Sequence, residues 1–259
     1  MTEASEGWVR PEERPFLRRA RDWVEQVVAR HSWRLTDFLT PREQYLLNAL
    51  VRHEGLVVAF WGGGEGAERC RALVMPDDWY PQPEDFEVTL LEVRAEGSDA
   101  LHHGSLLGSL LATGIDRRKV GDLAVDGTSA TVALCADVAP FVQGTWRRAG
   151  RVPIAVEVLA EGGRLTPPRY AASTVNVASL RADAIIAQVC RWPRSRAQEA
   201  VAGGRVQLNF APLTRADQSL FAGDLLSVRG FGRIRIGDVA GETRSGRVRL
   251  EVGVLRADA

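Results

Sequence analysis

The apolar residues between Phe86 and Leu159 switch repeatedly between two-residue and helical spacing, and few folds accommodate that order. "FEVTLLEV" (86–93) alternates as a strand does. "HHGSLLGSLLATG" (102–114) has helical spacing and ends at a glycine. "KVGDLAVDG" and "SATVALC" form a strand pair about a turn at Gly127. "DVAPFVQGTWRRAG" (137–150) reads as a second helix with Pro140 near its start, and "VPIAVEVL" closes the set.

The resulting order, β-α-β-β-α-β, is the split βαβ of a ferredoxin-like, RRM-like domain. RNA-recognition modules use it, as do many unrelated proteins, so the order alone carries no function. "SATVALC" has no Phe or Tyr to stack a base, so any RNA contact here is expected to differ from the standard sheet-face mode. The flanks complete an α+β chain. Phe16, Leu17, Ala20, Trp23, Val24, Val27 and Val28 recur at helical spacing, and "TPRE" (40–43) opens a second helix with a Thr cap, Pro at the first position and Glu at the third. "LVVAFWGG" and "CRALVMP" read as two strands. Four parts are expected: an N-terminal α/β region over 1–80, the RRM-like domain over 81–162, a linker over 163–178 and a small α+β domain over 179–259.

Other features exclude functions. The apolar runs fall short of the roughly 20 residues of a membrane helix, and "MTEASEGWVRPEERPF" is unlike a secretory signal, so no membrane association is expected. Cys70, Cys135 and Cys190 are scattered and odd in number. That predicts a reduced, cytoplasmic protein with no metal site. "GGGEGAER" (62–69) has the glycines of a phosphate loop but no following Gly-Lys-Ser/Thr, and reads as a strand connection. His102 and His103 lack partners at suitable spacing and read as a helix start. Arg117, Arg118 and Lys119 read as a solvated basic turn. No cofactor is expected.

Charge is uneven. Residues 1–180 hold 20 basic and 25 acidic side chains, and residues 181–259 hold 13 and 8. A basic module behind an acidic body points to nucleic acid. Within it, Ser179 is expected to cap "LRADAIIAQVC", Pro193 breaks that helix, and Ser195 is expected to cap a second helix with Gln198 completing a capping box. Arg191, Arg194 and Arg196 flank that start. Cations there oppose the helix dipole, and a bound phosphate would relieve the conflict. The basic surface is read as Arg181, Arg191, Arg194, Arg196 and Arg205, with Arg229 and Arg233 extending it. Asp183 is expected to orient Arg181 or a neighbour, and Trp192 to pack on the helix pair rather than stack a base.

The fragment "LRADAIIAQVCRWPRSRAQEAVAGGRVQLN…AGDLLSVRGFGR" resembles the RNA-binding domain named after small-subunit ribosomal protein S-four, through Arg181, Asp183, Arg194, Ser195, Ala197, Gly204, Val206, Asn209, Gly223, Asp224, Arg229 and Gly230. Ala182 replaces the usual Leu. With "PEERPFLRRARDW", "LTDFLTPREQ", "GAERCRALVMP" and "HGSLLGSLLATGIDRRKVGDL", the whole chain resembles the bacterial YlmH type. That resemblance implies RNA binding without catalysis. It further implies large-subunit rRNA and tRNA on the ribosomal large subunit as partners, in rescue of stalled translation and C-terminal alanine tailing. A monomer is expected. The alternatives are a pseudouridine synthase or methyltransferase carrying the same accessory domain, or a protein-interaction scaffold. "LRADA" already belongs to the RNA-binding module, "HHGS" only faintly echoes a synthetase signature, and the glycine loop lacks a Rossmann context.

Overall fold

The computed structural model describes residues 9–159, 163–166 and 169–256, which form two compact units. The body unit comprises Pro15–Thr40 and Leu46–Pro168; the tail unit comprises Met1–Arg14, Pro41–Tyr45 and Arg169–Ala259.

In the body unit, α1 (Arg14–Arg30) buries Phe16, Leu17, Ala20, Val24 and Val27; Trp23 is half-buried and Val28 is exposed, so the apolar face is narrower than expected. A strand not anticipated, β1 (Arg34–Leu39), precedes α2 (Pro41–Val51), which starts at the proline as the "TPRE" pattern requires. β2 (Val57–Trp61) and β3 (Cys70–Met75) follow, and the three strands form an antiparallel sheet in the order β1-β3-β2.

The second sheet is built from β4 (Val88–Ala95), α3 (His103–Leu111), β5 (Val120–Asp126), β6 (Ser129–Cys135), α4 (Ala139–Thr145), β7 (Arg148–Ala149) and β8 (Val152–Val158). Its order is β5-β6-β4-β8-β7 with every pair antiparallel, the order of a ferredoxin-like split βαβ plus one short edge strand. The helix expected over 137–150 stops at Thr145, because Arg148 and Ala149 turn back to pair with Pro153 and Val152. One sheet face joins α3 and α4 in a core of Leu91, Val93, Leu106, Leu110, Val132, Leu134, Val142 and Trp146.

The tail unit carries β9 (Ala171–Val177), α5 (Ala182–Cys190), α6 (Arg194–Ala202), β10 (Val206–Leu208), β11 (Ala211–Pro212), β12 (Leu225–Val228), β13 (Gly232–Glu242) and β14 (Val248–Arg256). The six-stranded antiparallel sheet runs β11-β10-β12-β13-β14-β9. The two helices share one core with it, including Ile185, Ile186, Ala197, Val201, Leu226, Ile234 and Val252.

Two expectations about organisation differ from this arrangement. The span expected as a linker, 163–178, contains β9, which pairs with β14 along its full length. An edge strand needs apolar side chains on one face only, and Val175 and Val177 supply them. Residues 167 and 168 of that span, and residues 1–8 of the expected N-terminal region, lie outside the described residues. Within that region, Arg10, Glu13 and Arg42 group with the tail unit because they converge on Asp224 there. Arg10 donates to both carboxylate oxygens of Asp224, and Arg42 holds Glu13 with both ends of its fork, at 2.8 and 3.0 Å. Asp224 also accepts from Asn209 (2.8 Å) and from the backbone N–H of Phe221 (2.8 Å). The Asn and Gly-Asp positions of the motif thus form a buried polar centre with every acceptor engaged.

Candidate nucleic-acid interface

Both helix starts of the tail unit are built differently from the capping expected. Arg181, not Ser179, occupies the N-cap position of α5. No side chain caps it, because the carbonyls of Gln218 and Ala216 accept from the backbone N–H groups of Ala182 and Asp183, each at 2.9 Å. Pro193 occupies the N-cap position of α6, which places Arg194, Ser195 and Arg196 inside its first turn. Ser195 is therefore exposed on the helix and is not its cap, and Gln198 serves another partner.

That partner is Asp183. Its carboxylate is fully buried and accepts from Arg181 Nε and Nη2 (3.2 and 3.1 Å), Arg194 Nε and Nη2 (both 3.1 Å) and Gln198 Nε2 (2.9 Å). Burial alone would raise its pKa. The hydrogen bonds from Arg181, Arg194 and Gln198 outweigh burial and hold the carboxyl well below its ordinary value. The conflict between Arg194 and the dipole of α6 is therefore relieved inside the chain by Asp183, so the position of Arg194 does not by itself call for the bound phosphate that the sequence suggested. One carboxylate nonetheless faces two guanidinium groups, so the cluster keeps one surplus positive charge. Each arginine uses one edge for Asp183 and remains about half exposed, at 40% for Arg181 and 49% for Arg194. The result is a pair of cations with fixed orientation and open outer edges.

Arg191 is exposed at the left-handed end of α5 (φ 56°), a conformation usually left to glycine. Arg196 lies over the face of Trp192, with its guanidinium carbon 4.3 Å from the ring centroid. Trp192 meets Phe231 edge-on at 6.3 Å, and Arg256 lies over Phe231 at 4.3 Å. Arg205 and Arg229 are exposed neighbours, joined by the Arg229 N–H donating to the Arg205 carbonyl (2.9 Å), at the opposite end of α6. Arg233 is not part of this surface. It alternates with the core residue Ile234, so it projects from the sheet face opposite the helices. Arg256 was missed in the sequence reading. Its signal was the row Leu250, Val252, Val254 on β14, which continues to Arg256 on the helix side.

In the body unit, the sheet face away from α3 and α4 is filled by the chain itself. Phe38, Ala133, Cys135 and Leu165 form a small core there with Val88, Leu90 and Ala124. The remaining part carries Glu92, Arg94 and Thr131, with Arg94 donating to Glu92 at 2.7 and 3.0 Å, and Glu157 opposite Glu92. Among the described residues that surface offers phosphate no net positive charge and presents no aromatic ring.

The glycine loop joins β2 to β3 and packs too closely to cradle a ligand. A Cβ on Gly64 would stand 2.0 Å from the Leu165 carbonyl oxygen. The backbone N–H groups of Glu68 and Arg69 donate to Asp122 at 2.5 and 3.1 Å, so a protein carboxylate occupies the place of an anion. Burial, with the Glu68 charge adding to it, pushes the Asp122 carboxyl up to about 6. The basic turn is likewise engaged. Arg118 pairs with Asp116, and Lys119 with Asp37 and Asp137. Among the described residues no group of acidic, His or Cys side chains could hold a metal ion, and no helix is long and apolar enough to cross a membrane.

Comparison with known proteins adds the following. Residues 81–161 match the family model described as a putative RNA-binding domain in YlmH, and residues 12–79 match that of the YlmH N-terminal region. The chain is 34% identical over 244 residues to ribosome-associated protein quality control protein P2 of Bacillus subtilis (strain 168), covering 93% of this chain and 95% of that one. A solved structure of the cell division protein ylmH from Streptococcus pneumoniae is 27% identical. It covers 59% of this chain and 93% of its own, with a TM-score of 0.54.

Proposed function

The chain belongs to the YlmH family, and from that premise we propose that it is a non-catalytic RNA-binding protein of the cytoplasm whose tail unit grips structured RNA. The observation that carries this is the Asp183 cluster. One arginine neutralises one carboxylate. Here two arginines are held on one buried carboxylate, which fixes surplus charge in place at the start of α6. Arg191, Arg196, Arg205 and Arg229 enlarge that surface, and Ser195 adds an exposed hydroxyl. Guanidinium forks held in this way suit phosphate oxygens, so folded or double-helical RNA is read by backbone and shape.

The Bacillus subtilis relative is named for ribosome-associated protein quality control. On that likeness the partners of this chain are large-subunit rRNA and tRNA on the ribosomal large subunit. Its work is the rescue of stalled translation with C-terminal alanine tailing, and it acts as a monomer with no cofactor. The sheet face of the body unit, partly filled by Phe38 and Leu165 and elsewhere without net positive charge, favours RNA contact through the tail unit over the standard RRM mode. Crosslinking in cells with sequencing of the bound RNA tests this reading: large-subunit rRNA and tRNA should dominate, and a spread of messenger RNAs would contradict it.

A further inference from the structure

The four groups Arg196, Trp192, Phe231 and Arg256 form an ordered series at the junction of α5 and α6, and phosphate binding does not account for it. Each guanidinium lies over an aromatic face at 4.3 Å, and the two rings are locked edge to face at 6.3 Å. Phe231 is buried and Trp192 half-buried, so the rings are held by the core; both arginines are exposed. Arg196 lies in the first turn of α6 and Arg256 over the ring that Trp192 meets, which places them at the same end of the helix pair. Among the described residues neither guanidinium is paired with a carboxylate, in contrast to Arg181 and Arg194.

A guanidinium resting on a ring has one face covered and the other open to solvent. Its planar, weakly hydrated surface is suited to stacking on another flat π-system. Phosphate would require only an edge, and neighbouring Arg181 and Arg194 already supply edges. We propose that Arg196 and Arg256 form a stacking shelf for unpaired nucleobases, on which one or two bases extruded from a loop or bulge rest while the Asp183 cluster holds the adjacent backbone. This deepens, and rests on, the reading of the tail unit as an RNA-binding module. It restricts the ligand class to RNA in which a helix adjoins exposed bases, since bases inside a duplex present no free face.

The test uses the full chain and three synthetic RNAs: a hairpin with a purine loop, the same hairpin with an abasic loop, and the blunt duplex of its stem. Arg196→Lys and Arg256→Lys keep the charge but remove the plane. Wild type should bind the purine-loop hairpin about tenfold more tightly than the abasic one, as expected for one or two stacked bases. Arg256→Lys should lose most of that advantage while binding the duplex as wild type does, and Arg196→Lys should lose the loop preference by a larger factor than it loses affinity for the duplex. If wild type binds both hairpins equally, or the variants keep its preference, the shelf is overturned and RNA binding by the tail unit still stands. If the variants weaken on hairpin and duplex alike, the arginines act as phosphate contacts and the shelf is also overturned. If wild type binds none of the three, RNA binding fails and the shelf with it.

Discussion

Arg10 and Asp224 stand 214 positions apart in sequence and share a buried ion pair in which the guanidinium fork grips both carboxylate oxygens. Asp224 has no exposed surface, and both Arg10 and Arg42 lie over the ring of Phe221. Removing one partner leaves the other charge buried with fewer partners, which costs about 3–5 kcal/mol. Arg10→Ala and Asp224→Ala should each lower the unfolding free energy of the tail unit, read from urea titration, by that order. A change below about 1 kcal/mol would mean that the pair is a bystander.

Asp122 makes stability depend on pH in an unusual direction. Its carboxyl titrates near 6 in the folded chain, against an ordinary value of 3.8. Between these values the folded state binds more protons than the unfolded state, so this group's contribution falls as pH rises through the window. Asp183 acts below it. Its folded value is depressed, so its contribution is present above about 3.8 and is lost as pH falls further. Chemical denaturation of wild type and Asp122→Asn between pH 4 and 7 checks this. The wild type should lose about 2 kcal/mol relative to the variant across the window, after discounting for the partial exposure of the group. Parallel curves would contradict the assignment.

Two glycines should respond oppositely to the same change. Gly64→Ala drives a Cβ into the Leu165 carbonyl and should destabilise the body unit by several kcal/mol. Gly108 sits inside α3 with nothing within 4 Å of its virtual Cβ, so Gly108→Ala should stabilise by about 0.5–1 kcal/mol through helix propensity. Thermal melts of the two variants suffice, and an equal fall in both would contradict the packing described.

The open part of the body-unit sheet should be silent toward RNA. Arg94→Ala and Thr131→Ala lie where a standard RRM places its contacts, yet Arg94 is paired with Glu92 and the rest of the face is covered by Phe38 and Leu165. Affinity for a folded RNA should stay within about twofold of wild type, and a tenfold loss would show that this face is used.

Local pattern made much of this fold legible. The β-α-β-β-α-β order, the Pro41 start of α2 and the break at Pro193 all follow from spacing and punctuation over short windows. β1 and β9 were not found because an edge strand with few apolar residues has weak periodicity, and only pairing with β3 or β14 identifies it. The arginines of α6 were legible as a group, but what each one meets was not. Asp183, eleven positions before Arg194, becomes its partner only when the α5–α6 turn folds back. Ser195 carried a capping signature that Pro193 overrode by taking the N-cap position itself. Arg233 looked equivalent to Arg229, and strand alternation sends it to the other face.

Asp183→Asn tests the central claim most directly, because charge and geometry give opposite answers. The substitution removes a negative charge, so affinity for a polyanion governed by net charge would rise. If Asp183 acts by holding Arg181 and Arg194 in place, affinity for folded RNA should instead fall about tenfold, in line with the loss of charge-assisted contacts. The measurement is the dissociation constant of the full-length variant and wild type for one folded RNA at fixed salt, with circular dichroism confirming that the variant is folded. A folded variant that binds as tightly as wild type, or more tightly, would contradict the claim.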